Sequence, residues 1–268
     1  MGFALIMGVA RIMNFAYGAL YMVTGYLIIQ FAALGLGVSY LISLVAIAVI
    51  SLILYRLFIG PMREKESEAA LVTVALALIF QELVKFTWGP EMDSVPTLVG
   101  RGFVTLLGVR VTNNKVLALV AASVIFLVLW VFINRTKQGK GIRAVAQNME
   151  VARLVGVNVR QVFMISMGIS AVLAGLAAVF FAPLSVISPT EWTILFQAFP
   201  VIVLGGLGSL KGAFVASFVM AFIEKMVEFY VAGGYTMEIV SFAIMVIILL
   251  VRPTGLFGKR ISAGVTGL

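Results

Sequence analysis

Few side chains in this sequence carry charge inside an apolar run, and those few are the first candidates for function. Glu82 and Lys85 lie three residues apart, a spacing that pairs an acid and a base on one helix face. Glu224, Lys225 and Glu228 form a second set, with Glu224 and Glu228 on the same face. An ionisable group within a membrane helix marks a pathway by default. Both sets, however, lie toward the ends of their runs, where a long side chain reaches the interface cheaply. The neutral amides of Gln81 and Gln197 are further candidates for lining a polar path. Histidine and cysteine are both absent. That argues against histidine-held haem, zinc hydrolysis, thiolate metal sites, disulfides and the usual histidine proton relays. The phosphate loop GxxxxGK[ST] is also missing, so the chain does not hydrolyse ATP by that route.

The elements that must position these groups follow from composition. Of 268 residues, 62% are hydrophobic and only 11% charged, with a mean hydropathy of +1.15. A soluble domain carries about 25% charged residues. Apolar runs occupy about 15–35, 38–55, 69–88, 116–134, 161–182, 191–204, 211–230 and 236–251. They are too long, and alternate too little, for an outer-membrane barrel. The fold class is therefore all-α: a polytopic membrane protein with about eight transmembrane helices. One of them, 191–204, is short or broken and carries Pro200. Met1–Gly8 is apolar but too short to span; it looks like the second half of a helix, or a short interfacial piece.

The formal charge of +8 reflects loop bias and not nucleic-acid binding. Asn134–Arg160 carries six basic residues against one acid, Glu150, and so reads as cytoplasmic. Alternation then places Arg11, the 56–68 loop, Lys211 and the tail after Arg252 on the same side, which holds 14 of the 19 basic residues. Counting Met1–Gly8 as a crossing predicts an external N-terminus and a cytoplasmic C-terminus. The outer loop Gly89–Lys115 contains "GFVTLLGVRV", whose weak alternation predicts a short hairpin. Such a loop either connects two spans, caps a pathway or docks a partner.

Three stretches interrupt the apolar pattern. "VARIMNFAYGALYM" (Val9 to Met22) places Arg11 at the inner end of a helix and Asn14, Tyr17 and Gly18 just after it. Asn14 is expected to satisfy backbone groups freed at this junction, and Gly18 to allow close packing. The loop "NRTKQGKGIRAVAQNMEVARLVGVNVRQV" is polar at first and then reads as one short amphipathic helix. Its apolar positions are Ala144, Val145, Val151, Leu154 and Val155, and Gly156 ends it in a left-handed conformation. The cluster Gly205, Gly206 and Gly208 reads either as a tight inner turn or as a helix break beside a pathway.

Glu150-Val151-Ala152, followed after three residues by Gly156, resembles the EAA-type loop of ABC importer permeases, with Val151 where alanine is usual. "RIMNFAYGALYMVTGY", "VLGGLGSLKGAFVASFVMAFIE" and "RPTGLFGKR" resemble segments of branched-chain amino acid ABC transporter permeases, the H-type permease of the leucine–isoleucine–valine system in particular. Tyr17 stands where that family commonly has histidine. The resemblance covers nearly the whole chain, 1–268, as a single transmembrane permease domain with a cytoplasmic coupling loop at 135–160.

The resemblance implies a pump component of the prokaryotic plasma membrane. Its partners would be a second homologous permease, two cytoplasmic ATPase subunits that bind the ATP, and an external substrate-binding protein. The chain itself would hold no cofactor and no nucleic acid. Glu150, Val151, Ala152, Arg153 and Gly156 would couple it to the ATPases. Asn14, Tyr17, Gly18, Gln81, Gln197, Gly205, Gly206, Gly208 and Glu224 are the candidates for the translocation path. The alternatives are a permease for urea or short amides, or an ion-coupled secondary transporter. The last would need acids near the midplane and an inverted repeat. The acids here are peripheral, and no clear repeat is visible.

Overall fold

A chain in lipid must satisfy its backbone hydrogen bonds internally, and each of the eight apolar runs does so as a helix in the computed structural model. The structure describes residues 1–10, 12–62, 65–100, 102–106, 108–230, 236–252 and 255–257. The elements are α1 (Gly2–Ala10), α2 (Ala16–Phe31), α3 (Leu36–Leu54), α4 (Glu66–Trp88), β1 (Phe103–Leu106), β2 (Val109–Thr112), α5 (Asn113–Arg135), α6 (Lys137–Gln147), α7 (Met149–Leu154), α8 (Val159–Phe181), α9 (Ile194–Gly205), α10 (Leu210–Tyr230) and α11 (Thr236–Val251).

Among the described residues, five segments are long and apolar enough to cross a bilayer alone: Ala16–Leu34, Leu36–Ile59, Ser67–Trp88, Asn113–Arg135 and Val159–Leu184. A sixth is the pair Glu191–Gly205 and Leu210–Tyr230, which bends by 114° between its halves. The short run around Pro200 is thus a half-length helix that turns sharply into the next. The expected hairpin is present: β1 and β2 pair antiparallel from Phe103↔Thr112 to Leu106↔Val109, and Gly108 takes φ +83° in the turn.

α2 and α8 form the centre of the bundle, with α3 and α4 packed around them. α8 allows this because its inner face is built of small groups: Ser166, Ser170, Ala171, Ala174, Gly175 and Ala178 are all buried. Small residues let helix backbones approach where lipid offers no hydrophobic driving force. Hydroxyls on these faces bond to carbonyls: Thr24 donates to Leu20 at 2.6 Å and Ser39 to Ile28 at 2.7 Å. α5, by contrast, buries few residues: Asn114, Leu129 and Ile133.

The bundle has two distinct ends. The basic end carries the α3–α4 connection and the helices α6 and α7. The hairpin end carries β1, β2 and the loop before them. There Trp88 Nε1 donates to Gln30 Oε1 at 3.0 Å, and the Tyr40 hydroxyl to the Pro96 carbonyl at 2.9 Å. Asp93 and Ile187 form an isolated antiparallel bridge, which ties this loop to the segment between α8 and α9.

Candidate functional site

Two short helices at the basic end stand where a single amphipathic helix is expected. Asn148 is the reason for the break. Its backbone is extended (φ −154°, ψ 114°), and its side chain accepts from the Glu150 and Val151 N–H groups at 3.0 and 3.1 Å, which caps α7. Thr136 caps α6 by accepting from Gly139 N–H at 2.9 Å, and Asn158 caps α8 by accepting from Gln161 N–H at 3.1 Å. α7 then ends as expected at Gly156, with φ +82°. Gly156 N–H bonds to Arg153 O and Val157 N–H to Ala152 O, the paired bonds of a Schellman motif.

The break also splits the expected apolar face. Ile142 and Val145 of α6 and Ala152 of α7 point into the bundle, where they join Leu5, Ile6 and Val9 of α1 in one buried cluster. Val151, Leu154 and Val155 point outward, 53%, 86% and 71% exposed. Glu150 and Arg153 are exposed beside them. α7 is therefore anchored by Ala152 and the half-buried Met149 and presents three apolar side chains on its outer side.

The junction between α1 and α2 is held differently from expectation. The Thr73 hydroxyl on α4 accepts from Phe15 N–H at 3.1 Å. It also lies 3.2 Å from the Met13 carbonyl and 2.8 Å from the Ala70 carbonyl, with one proton to share between them. Thr73, and not Asn14, satisfies the freed backbone. Asn14 is buried, but its Nδ2 reaches Met167 Sδ at 3.8 Å, and its Oδ1 has no partner among the described residues. Gly18 lies directly beneath the Trp192 carbonyl, so no side chain fits there.

A cavity of about 610 Å³ opens between α1, α2, α5, α8, α9 and α10. Its walls are mainly apolar, with polar groups from Tyr17, Tyr21, Gln197, Ser217 and Glu224. Phe126 of α5 stacks on Phe214 of α10 with centroids 4.1 Å apart, which joins the two walls. One turn nearer the basic end, the Lys211 ammonium sits 5.4 Å from the Trp130 ring centroid. Glu224 accepts from the Ser241 hydroxyl at 2.6 Å, so α11 braces the acid on the cavity wall.

Below the cavity, α9 ends in the glycine cluster. Gly206 (φ +97°) and Gly208 (φ +81°) make the turn into α10. Gly205 and Gly212 touch backbone to backbone, and a Cβ on Gly208 would lie 2.7 Å from Gly8 Cα of α1. The cluster thus acts both as a break in the helix and as a tight turn.

Residues 1–249 match the family described as branched-chain amino acid transport system / permease component. The chain belongs to that family. Three permeases are similar to it over 96% of its length. The high-affinity branched-chain amino acid transport system permease protein LivH of Salmonella typhimurium is 27% identical over 89% of its own chain. LivH of Escherichia coli K12 is 26% identical over 89%, and BraD of Pseudomonas aeruginosa is 27% identical over 90%. No solved structure matches the chain.

As a permease of this family, the chain is a multi-pass membrane protein with a transport and not a catalytic role. Within it, the structure brings four of the nine path candidates to the cavity: Tyr17, Gly18, Gln197 and Glu224. Asn14 lies outside the cavity, against Met167. Gln81 also lies outside it, where Oε1 accepts from Trp192 Nε1 at 2.6 Å and so ties α4 to the turn before α9. Gly205, Gly206 and Gly208 shape the end of α9 and do not line the cavity. Sequence reasoning named Val151 as a coupling residue but missed Thr73, Ser241 and the outward pair Leu154 and Val155 beside it. Only the last left a signal, since Leu154 and Val155 are adjacent apolar residues just before a helix-ending glycine.

Proposed function

We propose that this chain is a permease subunit of an ATP-driven importer for branched-chain amino acids. The observation that carries this reading is α7: a helix fixed to the bundle through Ala152 and Met149 that offers Val151, Leu154 and Val155 to a partner outside the lipid. An apolar helix face of this kind fits a groove in another protein. In this reading the partners are two ATPase subunits, which bind the ATP. A second related permease completes the path, and a soluble protein delivers substrate at the hairpin end. The basic end is cytoplasmic, in keeping with the basic bias of its loops, and the protein sits in the prokaryotic plasma membrane. Closure of the ATPases pushes α7, and the bundle switches the side to which its path opens. Support for the substrate class comes from the similarity to LivH and BraD, permeases of branched-chain amino acid transport systems.

The test is uptake by the chain reconstituted with its partner permease, ATPases and binding protein. ATP-dependent entry of leucine, isoleucine or valine is expected. Entry of urea or short amides instead would overturn the substrate class. Entry that persists without the ATPases and collapses with the proton gradient would overturn the mechanism. In the same system Leu154→Asp should lose ATPase co-purification by roughly thirtyfold in affinity, as expected of an interface anchor, while membrane insertion stays normal. Unchanged co-purification would count against α7 as the contact.

A further inference from the structure

Within "RPTGLFGKR" near the C-terminus, the described residues Gly255–Phe257 make an unusual contact. Leu256 N–H donates to the Leu204 carbonyl at 2.8 Å and Phe257 N–H to the Gly205 carbonyl at 3.2 Å. These are two of the carbonyls left free at the end of α9. Gly255 lies buried against the turn with φ +71°; a Cβ there would meet Val203 O at 2.5 Å, Gly206 N at 2.6 Å and Gly206 Cα at 2.7 Å. Meanwhile the Leu256 and Phe257 side chains point away, 37% and 52% exposed. The contact is made by backbone.

We propose that Gly255–Phe257 is a backbone clamp that positions α9, and through it the cavity wall that carries Gln197. At this end the side chains of α9 pack on α10 and α11 through Leu204, and the clamp adds backbone partners for its last carbonyls. α9 has only 12 residues, contains Pro200 and turns by 114° into α10. Its C-cap Gly206 returns its N–H to the Val203 carbonyl, and its turn rests on Gly8 of α1, Gly212 of α10 and Gly255 of the tail. α1 in turn shares its buried cluster with α6 and α7. The clamp fixes where the half-helix stands relative to the helices that receive the ATPase.

The clamp makes an inverted prediction: the residue without a side chain matters most. Gly255→Ala forces both a Cβ into the turn and an unfavourable φ. Leu256→Ala and Phe257→Ala keep both N–H donors. The natural absence of cysteine allows labelling at a single introduced thiol. Ala198→Cys on the cavity wall is labelled with a maleimide in the parent and in each variant, with Val45→Cys on the lipid face of α3 as the remote control. Gly255→Ala should change the rate at position 198 by about tenfold and leave position 45 unchanged, while the two alanine variants label like the parent. In the reconstituted importer, Gly255→Ala should keep complex yield and ATP hydrolysis but lose about tenfold in uptake per ATP.

Equal labelling at position 198, or damage from Leu256→Ala as large as from Gly255→Ala, would overturn the clamp. If Gly255→Ala cannot be recovered from membranes, Leu256→Pro, which removes the N–H that meets Leu204, must give the same labelling change; an unchanged rate overturns the proposal. The uptake readout rests on the permease reading, whereas labelling does not. A parent with no ATP-driven uptake would therefore fail that reading alone.

Discussion

The start of α7 and the end of α9 are both helix termini at the same end of the bundle, and they are closed by opposite means. At α7, one asparagine folds back over the two N–H groups that follow it. At α9, the free carbonyls receive N–H groups from beyond α11, and glycines remove every side chain that would keep the strands of chain apart. The first closure is local, depends on a side chain and tolerates variation around it. The second is distant, depends on shape and tolerates almost none. A docking helix that must meet another protein has its outer face left free by local capping. A half-helix beside the cavity has its end closed by bare backbone, while its side chains pack on α1, α10 and α11.

Three substitutions sharpen this contrast, in decreasing order of expected effect. Gly212→Leu places a side chain against the Gly205 carbonyl, where no flexible group can yield. A cost of about 3 kcal/mol is expected, seen as loss of the monodisperse detergent-solubilised protein. A variant as stable as the parent would break the idea that this approach is obligatory. Thr73→Val removes the hydroxyl that serves Phe15 N–H and faces two carbonyls. Leaving those groups unpaired should cost about 2 kcal/mol in a denaturation curve, with Thr73→Ser close to the parent. Asn148→Ala uncaps α7 alone, at about 1 kcal/mol. Hydrogen exchange at the Glu150 and Val151 amides should rise about fivefold while α8 stays protected. Protection unchanged at those two amides would show that packing through Ala152, and not the cap, holds α7.

The same contrast explains what the sequence makes legible. Apolar runs appear as helices almost residue for residue, because lipid leaves the backbone no other choice. The hairpin around Gly108 and the helix end at Gly156 are likewise local events. Asn148 was hidden because apolar spacing continues through it, so the pattern suggested one helix where the side chain makes two. Asn14 has the chemistry to serve a broken backbone, yet the hydroxyl that does so belongs to Thr73, inside the apolar run 69–88, where a lone threonine gives no sign. Gln81 has the right chemistry for a path, but its position against Trp192 is set by how α4 meets the turn before α9. The glycines at 205–208 were visible as a break. Their partners at Gly8, Gly212 and Gly255 were not, since close approach is a property of the assembled bundle.

The three tryptophans acquire a practical meaning from where they stand. Trp88 is bonded to Gln30 at the hairpin end, Trp192 to Gln81 beside the turn that starts α9, and Trp130 faces the Lys211 ammonium at the basic end. Each indole reports on a different junction. The protein thus carries its own set of optical reporters, one at each end and one at the turn that leads into α9. Replacing two indoles at a time would turn intrinsic fluorescence into a site-resolved record of which junction moves when substrate or nucleotide arrives.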